Sequence, residues 1–167
     1  ITVSIEGVNK VKAQTVESSA PLKTGDSDFK VSNISGQMVY HNIFKNVDIE
    51  YTIVSTELKE NIILKDEVDF QSIIYNYKIG NHHEVVAEDD KNLKIVDKDS
   101  NEVVLCISAP IMWDANGTSY DNLTLQIVEE KNTSVRIKLN WTIEKDMVYP
   151  ITIDPVMSFS TNRLEIQ

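Results

Sequence analysis

The sequence is poor in the residues that usually declare a chemistry. Among 167 residues it has one cysteine, five glycines, four prolines and three histidines. A lone cysteine excludes an intramolecular disulfide framework and a cysteine-rich zinc site. The surroundings of Cys106, "EVVLCISAP", suit a small buried hydrophobe, whereas a reactive thiol wants a polar, cation-rich setting. The glycines form no phosphate-cradling loop, and no serine or cysteine stands in a nucleophile motif. Basic residues are outnumbered, 16 against 26 acidic ones, for a net charge of −10. That balance argues against nucleic acid and anionic membrane surfaces as partners, because both repel such a chain. No apolar run approaches the roughly 18 residues of a membrane-spanning helix, so membrane insertion is not expected. The chain opens at Ile1 without a signal peptide and reads as a module excised from something longer.

What is present is strand periodicity. "ITVSI", "DFKVS", "MVYHNI", "SIIYNYKI", "LKIVD", "VVLCIS", "NLTLQIV", "SVRIKLNWTI" and "ITIDPV" all alternate, and β-branched residues and tyrosines fill them. No window of a dozen residues carries a convincing 3.6-residue stripe. "KDSN" at 98–101 and "EEKNTS" at 129–134 each separate two such runs and read as hairpin turns. The expected fold is all-β and sandwich-like, with about ten or more short, mainly antiparallel strands. Residues 1–39 read as an N-terminal β-hairpin region with a polar connection, set apart as a small subdomain. Residues 40–157 read as the main sandwich, and 158–167 as the lead-in to a following module.

One strand breaks its own pattern. In "NVDIEYTIVSTELKENIIL" the first half places Val47, Ile49, Tyr51 and Ile53 on one face and Asp48, Glu50 and Thr52 on the other. In the second half, alternation sets Glu60 among Leu58, Ile62 and Leu64, with Lys59 facing the opposite way. Burying a carboxylate unpaired costs several kcal/mol, so Glu60 needs a partner or a bulge that turns it outward. Backbone amides or one of the two arginines, Arg136 and Arg163, are the expected partners. Lys59, Glu60 and Asn140 are also the residue types of a lysine–asparagine crosslink, but the opposed faces of Lys59 and Glu60 count against it.

Other candidates are set beside plainer readings. Asp114, Asn116 and Asp121 put oxygen ligands in a loop with Gly117, the donor type that calcium takes. No complete calcium loop is matched, and Asn-Gly is also a favoured tight-turn pair. Trp113 and Tyr120 stand beside that loop as aromatics able to stack on a sugar, while Trp141 continues an alternating run and reads as core. A His41–Cys106 dyad would need the two side chains brought together in space, and His82 and His83 sit in a turn.

Several blocks occur in a familiar order: Tyr40, "NVDIEYTI", "LKENIIL", "APIMWDANG" and "VYPITIDPV". Together they resemble a β-rich segment of secreted Gram-positive wall-associated and RHS (YD-repeat) proteins, where it stands before the repeats or beside DNRLRE-type modules. The resemblance spans Tyr40 to Val156, and the recurring residues fall on Lys59, Glu60, Asp114 and Gly117. It implies a secreted, cell-surface setting beside other modules of the same chain, and a non-catalytic structural or adhesion role. The alternative is a carbohydrate-binding module for cell-wall or plant-type polysaccharide, attached to an exported enzyme or cellulosome-like assembly. On either reading the chain is not itself an enzyme, and no cofactor is expected beyond calcium at the Asp114 loop.

Overall fold

The structure is a computed structural model that describes residues 1–16, 36–54 and 57–159. Its thirteen strands in these residues are β1 (Thr2–Ile5), β2 (Gln14–Val16), β3 (Gln37–Phe44), β4 (Val47–Val54), β5 (Glu57–Leu64), β6 (Ser72–Lys78) and β7 (His83–Ala87). They continue with β8 (Leu93–Asp97), β9 (Val103–Trp113), β10 (Ser119–Tyr120), β11 (Leu123–Lys131), β12 (Ser134–Trp141) and β13 (Ile151–Phe159). No helix occurs among the described residues. A four-stranded sheet runs β1, β6, β12, β11. A larger sheet runs β2, β3, β4, β5, β13, β9, β8, β7, with β10 added beside β9. The strand pairings are antiparallel, and the fold is all-β.

The alternation seen in the sequence builds the core. Ile62 and Leu64 of β5 and Ile151 and Ile153 of β13, from the large sheet, join one buried cluster with Ile73, Tyr75 and Tyr77 of β6 and Val135, Ile137, Leu139 and Trp141 of β12 from the small one. Each aliphatic side chain buried this fully contributes about 1.5–3 kcal/mol. At one border of the core the rings of Phe44, Phe70 and Trp141 stack edge-on, with centroids 5.3 and 6.0 Å apart, and link β3 to β12.

Three expectations change. The described part of residues 1–39 is not a hairpin: β1 pairs with β6 of the small sheet and β2 with β3 of the large one. The segment between them is tied down by the Asn9 amide donating to the Ile43 carbonyl at 2.7 Å. A forked ion pair from Arg136 to Glu6, at 2.6 and 2.7 Å, holds the end of β1 to β12. The turn between β11 and β12 is two residues long, since Lys131 pairs directly with Ser134. Finally, β13 runs past the expected boundary at 157 to Phe159. The expected strand "DFKVS", Arg163 and residues 160–167 lie outside the described residues.

Candidate functional site

Three carboxylates are buried among the described residues: Asp48, Glu60 and Asp114, at 7%, 3% and 3% exposure. Each accepts hydrogen bonds from outside its own strand.

Glu60 points into the space between the sheets. The Tyr75 hydroxyl, on β6 of the small sheet, donates to its Oε1 at 2.6 Å. Tyr51, directly opposite Glu60 across the β4–β5 pair, also hydrogen-bonds to it. Burial raises the Glu60 carboxyl above the ordinary value; the two tyrosine hydrogen bonds pull against that rise, and the nearby Asp154 adds to it. Asp154 is itself raised by burial, with Lys59 opposing. The partners among the described residues are tyrosines, and Arg136, one of the two expected arginines, is engaged by Glu6 instead. Lys59 is exposed on the outer face, as alternation requires, and Asn140 faces Thr124 at 3.5 Å, so the crosslink residues are not brought together.

Asp48 was placed on the outward face of β4, yet that face is covered. The pairing of β3 and β4 slips between Tyr40 and Phe44, and Asn42 takes a positive φ of 53° there. This bulge brings the Asn42 amide to Asp48 Oδ1 at 2.8 Å, beside the Lys65 ammonium at 2.8 Å. His41 Nδ1 lies 2.7 Å from Asp48 Oδ2. Burial alone would raise the Asp48 carboxyl, but Lys65, Asn42 and His41 together hold it below its ordinary value. The result is a half-exposed imidazole oriented by a carboxylate, the arrangement used to position a histidine for proton transfer. No serine or cysteine completes it among the described residues, and Cys106 cannot do so. His41 is on β3 and Cys106 on β9, with β4, β5 and β13 between them. At roughly 4.8 Å per strand that is on the order of 19 Å. The residues that signal this cluster, "HNIFKNVD", show a histidine and an aspartate seven apart, and nothing in that spacing reveals the bulge.

Asp114 closes the β9–β10 turn. Its Oδ1 accepts from the Asn116 and Thr118 amides at 2.9 and 3.0 Å, and its Oδ2 from the Val148 amide at 3.2 Å. Gly117 supplies the positive φ of 79° that the turn needs. Both Asp114 oxygens are thus committed to backbone. Asn116 is exposed, and Asp121 projects away to Lys91 at 3.4 Å. The expected calcium ligands are not gathered, and among the described residues no group of three or more His, Cys, Asp or Glu is arranged to hold a metal ion. Trp113 and Tyr120 part company too. Trp113 is half-buried at the end of β9 between Ser119 and Thr152. Tyr120 instead lines an open groove with Ile111, Ser119, Asp121, Asn122 and Glu144.

The chain is similar to three bacillar proteins. One is the tRNA(Glu)-specific nuclease WapA of Bacillus subtilis subsp. natto (strain BEST195), at 22% identity. The others are the tRNA3(Ser)-specific nuclease WapA of Bacillus spizizenii, at 22%, and the tRNA nuclease WapA of Bacillus subtilis (strain 168), at 21%. Each match covers 92% of this chain and 7% of the relative, so the chain spans a small fraction of these proteins. Their names overturn the non-catalytic adhesion role, the carbohydrate-binding alternative with its polysaccharide partner, and the exclusion of nucleic acid and of enzyme activity. Net charge misled there, because the charge of a chain that matches 7% of each relative does not fix what those far longer proteins act on. None of the matches names an RHS repeat or a DNRLRE-type module. No solved structure matches the chain. Residues 6–156 match the family described as "Domain of unknown function (DUF7948)", and the chain belongs to that family.

Proposed function

We propose that this chain is one domain of a tRNA-cleaving nuclease of the WapA kind, carried by a secreted, cell-surface protein. The observation that carries the reading is the similarity to three tRNA nucleases along 92% of the chain. The surface setting is supported by the ordered blocks from Tyr40 to Val156, which resemble segments of secreted wall-associated proteins. The activity is proposed for the whole protein. A tRNA nuclease grips phosphates with lysine and arginine. With a net charge of −10 on this domain, that grip is assigned to the rest of the chain. Within the domain no bound calcium is needed, because backbone amides already occupy both oxygens of Asp114.

The test is direct. The intact protein that carries this domain, purified and incubated with bulk tRNA, is expected to release discrete fragments on a denaturing gel. Full-length tRNA persisting throughout, at any divalent-ion concentration, would overturn the reading.

A further inference from the structure

The groove beside β10 has chemistry that the three buried carboxylates do not use. Its volume is about 570 Å³, and it is lined by Ile111, Ser119, Tyr120, Asp121, Asn122 and Glu144. Ile111, the third residue from the end of β9, is 47% exposed. It is uncovered because β8 stops pairing with β9 at Ile107, and only the two-residue β10 continues along that side, from Met112. Among the described residues β10 pairs with β9 alone, and because alternate residues of an antiparallel strand bond to the partner, one of its two residues turns its N–H and C=O to the open edge. An edge of this kind accepts an added extended strand.

The rim is acidic. Asp121 is almost wholly exposed and shares Lys91, while the Glu144 carboxylate is held only by the Asn122 amide nitrogen, at 3.1 Å. Glu144 and Asp146 have no ion-pair partner among the described residues, although Lys145 stands between them in sequence. Burial pushes the Tyr120 phenol up, the charges of Asp114 and Asp146 add to the rise, a hydrogen bond with Thr118 opposes it, and the charge of Glu144 adds a little more. An apolar floor, an acidic rim and an open strand edge all suit one class of occupant. A phosphate-bearing one would be repelled.

We propose that this groove docks an extended peptide segment in which a lysine or arginine alternates with apolar residues. The apolar side chain lies on Ile111 and Tyr120, the cation reaches Glu144, and the peptide backbone pairs with the free edge of β10. The domain's charge of −10 steers such a segment toward the site at long range. This goes beyond the nuclease reading and does not rest on it.

The experiment is an amide-resonance titration of the 167-residue chain with a capped heptapeptide of alternating valine and lysine. A peptide with glutamate in place of lysine is the control. Saturable shifts are expected at Ile111, Ser119, Tyr120, Asn122 and Glu144, and binding should weaken at least about fivefold between low and high salt. Glu144→Gln should weaken it similarly, and Ile111→Lys, a change at an exposed position, should abolish it while leaving the rest of the spectrum intact. No shift at millimolar peptide, equal response to the glutamate peptide, or full binding by both variants would overturn the proposal. None of these readouts involves RNA, so failure here is separate from failure of the nuclease assay.

Discussion

Removing the Glu60 side chain tests the polar bridge between the sheets. Glu60→Ala takes away the acceptor of Tyr75, whose ring is 3% exposed and cannot turn to water. A buried donor left unmet costs about 1–3 kcal/mol. The vanished side chain also leaves a void of on the order of 50 Å³, worth about 1 kcal/mol at the usual cavity cost. Relief of a buried carboxylate's desolvation offsets part of this, leaving a net loss of about 2–3 kcal/mol. For a domain of this size that lowers Tm by about 5–10 °C.

Glu60→Gln separates charge from shape. The amide oxygen can still accept from Tyr75, and its NH₂ can donate to the Tyr51 oxygen, so the substitution should fall within about 1 kcal/mol of wild type near pH 5. The pH dependence has a definite sign. Burial sets the folded Glu60 carboxyl above its unfolded value of about 4.3. Its contribution is therefore fully present below that unfolded value and is lost as pH rises through the folded one. Glutamine does not titrate, so the variant should gain on wild type from pH 4 to pH 8, the repulsion with Asp154 being part of that gain. Urea unfolding across that range measures both effects. A Glu60→Ala cost under about 0.5 kcal/mol, or a pH-independent gap between glutamine variant and wild type, would refute the reasoning.

Asp48→Ala should cost about 1–3 kcal/mol at pH 7 by stranding the Asn42 amide of the bulge. Because the Asp48 carboxyl is held low, its contribution is present above the unfolded value of about 3.9 and is lost as pH falls through the folded one. The penalty should therefore shrink in urea titrations at acid pH. Gly117→Ala meets no atom within 4 Å, so its expected loss of about 1 kcal/mol is purely the backbone cost of a φ of 79°; Gly117→Asn should lose less. Asp114→Ala should lower Tm by releasing the turn from the Val148 amide, while chelator or added calcium leaves the wild-type Tm unchanged; a calcium-dependent rise would restore a metal to the loop.

The periodicity that made the strands legible is the same force that builds the core: Val135, Ile137, Leu139 and Trp141 alternate in the sequence and are all buried. Glu60 stood out for the same reason, as a charge on an aliphatic face. Its partners did not, because Tyr51 meets Glu60 only through the register of β4 on β5, and Tyr75 only after the two sheets have folded together. Asp48 was hidden by a bulge, a backbone slip that no period-two pattern records. β7 escaped notice because "HEVVA" buries only Val85 and so shows no alternation, and β10 because its two residues are recognisable only through their pairing with β9. The groove likewise depends on where β8 ends against β9, a matter of register, which is set between strands and not within one.

The most direct test is to map RNA ends after total bacterial RNA is incubated with the intact protein that carries this domain. The account predicts new ends concentrated in tRNA, and their loss when the protein is withheld. Ends spread evenly over all RNA, or no new ends while the protein is present and folded, would contradict it.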